Sequence, residues 1–169
     1  MSPELVPYLE VKGILLKRID GYELGDITAS PLAPPPAEWQ QVVQSAVNLA
    51  HDINKPGIIM WDCTSRNVVV HRESQTPRFV DLAQCRFRDE IEKYWHERGR
   101  ANSENWDPEV EYWKLVDDFD NPKELGVPMV TRAKRERGAA LQIKFPDCSA
   151  LISHIQHRKA EDMSKGNDC

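Results

Sequence analysis

The sequence predicts a mainly α fold of the α+β class, and three observations carry that reading. Trp39, Val42, Val43, Ala46, Val47, Ala50 and Ile53 recur at spacings of three and four, which lines one face of a helix. Two charged segments, 88–98 and 108–119, carry Ile91, Tyr94 and Trp95, and Val110, Trp113, Leu115, Val116 and Phe119, and read as two more helices. The apolar triplets 58–60 and 68–70 and the run 79–83 are short and flanked by polar residues, as in a small β-hairpin.

Taken in order, the segment 11–19 is apolar, partly β-branched and ends at Asp20-Gly21, a turn signal, so it predicts a strand. Pro31, Pro34, Pro35 and Pro36 then impose a loop that delivers the chain to the helix of 37–53, which stops near Asn54-Lys55-Pro56-Gly57. The hairpin follows, with its turn around 73–77, and then the two charged helices. Trp95, Trp106 and Trp113 sit at helical spacing among apolar neighbours and are assigned to the core. Arg132, Lys134, Arg135 and Arg137 form a basic cluster read as a solvated helix face, with an anionic partner or a nuclear signal as the alternative. Leu151, Ile152 and Ile155 mark a last helix over 149–163, and 164–169 are expected to be disordered.

A length of 169 residues suits one compact domain, and a hydrophobic fraction of 40% is enough to build its core. A formal net charge of −5 argues against nucleic acid as the main partner. No run of about 18 apolar residues is present to cross a bilayer, so no membrane association is expected. The first residues, Met1-Ser2-Pro3-Glu4-Leu5, lack the features of a secretory or transit signal, which predicts a cytoplasmic location with the nucleus as the alternative. Cys63, Cys85, Cys148 and Cys169 are widely spaced, with no C-x-x-C pair and no His at zinc-finger spacing, so they read as reduced thiols.

The chemistry is concentrated in 59–70 and 79–83. Asp62 and Asn67 stand five residues apart on one loop, and Asp81 arrives on the neighbouring strand end. Two carboxylates and a carboxamide so placed can position a hydroxyl and hold Mg²⁺ through oxygen ligands, which phosphoryl transfer requires. The competing reading makes them ordinary loop residues.

This spacing resembles the kinase catalytic loop H-R-D-x-x-x-x-N and the following D-F-G. It is closer to the kinase-like proteins abundant in filamentous fungi, which are related to protein kinases and to aminoglycoside or choline phosphotransferases. Gly13-Ile14-Leu15-Leu16 is similar to their hinge, Arg66-Asn67 to their catalytic loop, Ala83-Gln84-Cys85-Arg86-Phe87 to the segment after their metal-binding Asp, and Trp113-Lys114 to a later element. The resemblance spans about Leu9 to Val130 and implies a protein kinase-like C-terminal lobe. In it the hinge falls at about 11–21, the long helix at about 37–53, the catalytic loop at 60–67 and the metal-binding strand end at 79–83. Residues 131–169 remain as a basic segment with a terminal helix and tail. By the same resemblance Asp62 accepts the substrate hydroxyl proton, Arg66 supplies a charge if it points into the cleft, Asn67 and Asp81 bind Mg²⁺, and Ile14, Leu16, Lys17 and Arg18 contact ATP.

The sequence also departs from the pattern. Met60 stands in place of the catalytic-loop His, Thr64 in place of a cation two residues after the catalytic Asp, and Leu82-Ala83 in place of Phe-Gly. Neither a G-x-G-x-x-G loop nor a strand Lys precedes the hinge, so the N-terminal lobe is expected to be missing. Three functions follow. The first is a truncated kinase-like protein, weak or inactive alone, that acts through binding. The second is an ATP- and Mg²⁺-dependent kinase for a protein or small-molecule hydroxyl, completed by a partner or a further lobe covering the cleft. The third is a helical interaction domain with no catalysis and no cofactor. The first two expect an unusually apolar surface at 11–19 and around the cleft.

Overall fold

Pro36 opens a 3-10 turn at Pro36–Glu38, where its missing N–H costs nothing, and the chain runs from there into α1 (Trp39–Asn54). The computed structural model describes residues 18–103 and 106–166, with side chains to residue 159. The apolar face read from the sequence is the face α1 buries: Trp39, Val42, Val43, Ala46, Val47 and Ala50 are all inside. The architecture is mixed α+β, with five helices and two small antiparallel sheets among the described residues.

The hairpin forms across the turn read around 73–77, but the strand before it pairs elsewhere. Strand β2 (Ile58–Met60) does not pair with the next strand; β3 (Val68–His71) and β4 (Pro77–Phe79) form the hairpin, and β2 takes β5 (Cys85–Phe87). The polar loop 61–67 therefore crosses from one sheet to the other. Asp20-Gly21 does not act as a turn either, because Gly21 opens β1 (Gly21–Glu23), which joins the hairpin beside β3. A Cβ on Gly21 would lie 2.0 Å from the Val70 carbonyl oxygen, so this approach of two backbones admits only glycine. The hinge strand read over 11–19 falls almost wholly outside the described residues; Arg18, Ile19 and Asp20 have no regular structure.

Helices α2 (Arg88–Glu97) and α3 (Pro108–Phe119) lie within a residue of their predicted limits. Helix α4 (Asn121–Arg137) was read only as a basic cluster at its end, and it packs along α1 through Leu125, Met129 and Ala133. The division read at 130/131 falls inside this helix. The basic cluster is not simply a solvated face. Arg132 donates to the Gly25 carbonyl, and Arg137 donates to the Thr28 carbonyl through Nε at 3.0 Å and NH2 at 2.7 Å. The Thr28 hydroxyl donates to Glu136 at 2.6 Å, so the last turns of α4 are pinned to the segment after β1. Helix α5 (Cys148–Gly166) runs three residues beyond the predicted limit, into the part expected to be disordered.

Between α4 and α5 the extended segment 139–147 lies on α1. Gln40 Oε1 accepts from the Gln142 amide at 3.0 Å, and Gln44 both accepts from the Lys144 amide and donates to its carbonyl, each at 2.8 Å. Gly126 makes room for Phe145: a Cβ there would stand 2.6 Å from the ring and 2.9 Å from Val47.

Two cores result. One joins α1, α4, the three-stranded sheet and the 139–145 segment. The other joins α2, α3 and α5 beneath β2, with Trp95 and Trp113 buried and Trp106 packed against them, as the sequence reading assigned. Cys63, Cys85 and Cys148 are free thiols, and Cys169 lies outside the described residues. Among the described residues, no helix is long and apolar enough to cross a membrane.

Candidate functional site

The loop from Trp61 to Asn67 ends in a 3-10 turn, Ser65–Asn67, that brings Asn67 back over Asp62. Asn67 Nδ2 donates to the Asp62 carbonyl at 3.0 Å and to its carboxylate at 3.1 Å, and Arg66 donates to the same carboxylate oxygen at 2.9 Å. The Arg66 hydrogen bond, more than offsetting the opposing effect of burial and helped by Asn67, holds the Asp62 carboxyl below the usual carboxylate range. Asp62 is therefore a fixed acceptor. The Arg66 side chain remains 70% exposed on its own loop, paired to Asp62 and within the field of Asp81.

Asp81 reaches the site through the backbone. The Val80 amide donates to the Asn67 carbonyl at 2.8 Å, which ties the end of the hairpin to the loop. Asp81 itself is left-handed, with φ 57° and ψ 67°, and its carboxylate accepts from the Ala83 amide at 3.4 Å. A non-glycine residue in this conformation carries strain of about 1–3 kcal/mol, and such positions concentrate at functional sites. Asp81 is not on the strand itself, as the reading of 79–83 had it; β4 ends at Phe79 and the turn Leu82–Gln84 follows. The structure thus gathers Asp62, Arg66, Asn67 and the strained Asp81 backbone around one loop. Arg18 is exposed, and Ile14, Leu16 and Lys17 lie outside the described residues.

The loop rests on buried polar contacts that sequence reasoning missed. Asn121, at the start of α4, donates to the Met60 carbonyl at 2.7 Å and accepts from the Met60 amide at 3.3 Å. Asn54 donates to the Ile58 carbonyl at 2.8 Å, and the Tyr112 hydroxyl donates to the Asn54 carbonyl at 2.7 Å. Both asparagines are fully enclosed, and of their side-chain polar atoms Asn54 Oδ1 is left without a partner. The only signal in the sequence was Asp120-Asn121-Pro122, a helix-start pattern. Met60, which the resemblance sets against a catalytic His, sends its side chain into the core.

Burial pushes the Cys63 thiol up to about 12 and also raises Cys85, so both thiols are protonated at neutral pH. No cluster of three His, Cys, Asp or Glu side chains able to hold a metal occurs among the described residues.

The surface beside the loop is apolar. Trp61 is 57% exposed, and Leu82, Phe87 and Tyr94 are exposed as well. Trp61 packs against Phe119 with ring centroids 5.8 Å apart, and the Arg86 guanidinium lies 5.2 Å from the Trp61 centroid. Compared with family models, with curated proteins and with solved structures, the chain has no significant match in any of the three.

Proposed function

We propose that the chain carries the catalytic loop and metal-binding segment of a kinase-like phosphotransferase, as the C-terminal lobe of such a fold, and that it is weak or inactive alone. The observation that carries this reading is Asn67 bridging back to Asp62 while the Asn67 carbonyl holds the residue before Asp81. Asn67, five positions after Asp62, is bonded to it, and the residue before Asp81 is bonded to Asn67, which supports the spacing motif.

In this reading Asp62, kept ionised, orients the acceptor hydroxyl and takes its proton. Asn67 spends its Nδ2 on Asp62 and keeps Oδ1, and Asp81 keeps carboxylate oxygens on an exposed turn. These hard oxygen donors fit Mg²⁺, which is commonly held by one or two protein groups with phosphate and water completing the shell. When bound, the ion would supply neutralisation of charge on the transferred phosphoryl group. ATP would further need backbone and Lys contacts to its phosphates, and the sequence offers no Gly-rich loop for them. A partner polypeptide or a further lobe covering the cleft supplies them, and the exposed Trp61, Leu82 and Phe87 support such a cover.

One observation favours a non-catalytic reading: Arg66 already occupies Asp62. The thermal shift of the chain with Mg²⁺-ATP decides between them. The proposal expects stabilisation at millimolar nucleotide that is lost in Asp81→Ala and retained in Arg66→Ala. An equal response of wild type and Asp81→Ala, or no response, would leave the acidic residues without a nucleotide role.

A further inference from the structure

Next to the catalytic loop lies a cavity of about 440 Å³ that the phosphotransfer reading does not use. Its walls come from β2, β5, α2 and α3, and Ile59, Trp61, Tyr94, Leu115 and Phe119 make most of them apolar. That size and lining match sites for small organic ligands, which pair an apolar wall with a few polar groups. The Trp61 and Tyr94 rings stay at least half exposed, although large aromatics usually go inside.

The polar groups fix the chemistry of the occupant. Three charged side chains line the cavity: Arg86, Arg100 and Glu90. Glu90 is partly engaged, accepting from the Phe87 amide at 3.5 Å. Arg86 and Arg100 have no carboxylate partner among the described residues, and Arg86 lies over the Trp61 ring. The guanidinium beside that ring repels a ligand cation, which directs the site away from ammonium compounds. A carboxylate, by contrast, matches the planar fork of an unpaired arginine. Arg100 also lines an adjoining cavity of about 420 Å³ together with Trp95, Leu115 and Asp118. Asp118 makes that second space less suited to an anion, so the carboxylate end belongs on the Arg86 side.

We propose that this cavity binds a small aromatic carboxylate, with its apolar body against Trp61, Tyr94 and Leu115 and its carboxylate on Arg86. The site needs no catalysis by Asp62. Its place directly before Asp62 in the chain sets the ligand beside the catalytic loop.

The test uses the full chain, ¹⁵N-labelled, titrated with naphthalene-2-carboxylate while the indole N–H signals are followed. Saturable movement of the Trp61 and Trp95 signals is expected, with Trp39, which lies in the other core, unmoved. Arg86→Gln is expected to weaken binding about tenfold, and naphthalene-2-methanol to bind the wild type weaker by a similar factor. Tyr94→Ala, at an exposed position, provides a second variant with an intact core and is expected to weaken both ligands. Asp81→Ala is expected to leave the titration unchanged, which separates this site from the nucleotide reading. The proposal is overturned if no signal saturates at millimolar ligand, if Trp39 moves with Trp61, if Arg86→Gln binds as the wild type does, or if naphthalene-2-methylamine binds as tightly as the carboxylate.

Discussion

The two cores are built and closed in different ways. The core of α1 and α4 is largely aliphatic, and its edges are sealed by side chains bonded to backbone: Gln40 and Gln44 on the 139–147 segment, Arg132 and Arg137 on the segment after β1, and Asn121 on β2. The core of α2, α3 and α5 is rich in aromatic rings, and α5 is fastened to the start of α3 by surface ion pairs, Lys159 with Asp107 and Glu109 and Arg158 with Glu109. Bonds from a side chain to a fixed backbone group set position; exposed ion pairs between long side chains set little, because both partners lose rotamer freedom to form them. The 61–67 loop hangs from the first core, and the aromatic cavity opens from the second. Position is fixed where chemistry is proposed, and surface is left open where binding is proposed.

This contrast is breakable in graded steps. Leu125→Ala, at a side chain with no exposure, is expected to cost about 3 kcal/mol by the usual loss for a buried leucine, read by urea denaturation. A loss below about 1 kcal/mol would show that the first core can collapse around the gap and is not the rigid part. Asn121→Ala leaves the Met60 amide and carbonyl buried without partners and is expected to cost about 2 kcal/mol. Its specific mark is faster amide exchange over 60–67 with little change in α5; uniform acceleration would deny that Asn121 acts on the loop.

His51 joins the two regions, standing on α1 with its ring 5.9 Å from that of Trp113 on α3 and its Nδ1 buried without a partner. Burial lowers its pKa from 6.5, with Lys55 adding to the shift and Asp52 opposing it. In the interval between the lowered folded value and 6.5 the unfolded chain binds the proton more readily. Stability is therefore fully present above 6.5 and falls as the pH drops toward the folded value, where the loss levels off. His51→Leu is expected to flatten that stretch of the stability profile; an unchanged profile would place its origin elsewhere. The smallest effect belongs to Lys159→Ala, below about 1 kcal/mol and reduced further by salt. A larger loss would mean that the ion pairs position α5 after all.

What could be read from the sequence divides along the same line. Helix α1 was legible to within two residues because its apolar period is clean, and Asp62 and Asn67 were legible as a pair because one short loop holds both. Helix α4 was not. Pro122 and Pro128 both stand inside it, and its apolar residues are diluted by the basic end, although Pro122 in the first turn is a helix-start signal. The pairing of β2 with β5, the support from Asn121 and the wall from Phe119 all join positions far apart in the chain, and no local pattern encodes such meetings. Trp61 was visible in the sequence, but its exposure depends on α2 and α3 leaving the cavity open.

The contact between α1 and the 139–147 segment has the character of a vernier. Four residues of helix advance about 6 Å and two residues of extended chain about 6.6 Å, so Gln40 and Gln44 meet the amides of Gln142 and Lys144 nearly in step. The next rung would join Asn48 to residue 146, which is a proline with no amide to offer; Asn48 instead accepts from Gln44 at 2.9 Å. The scale has two marks and a built-in stop, so a single residue inserted between 142 and 144 would put every later residue, Phe145 included, out of phase with the glycine cut to receive it.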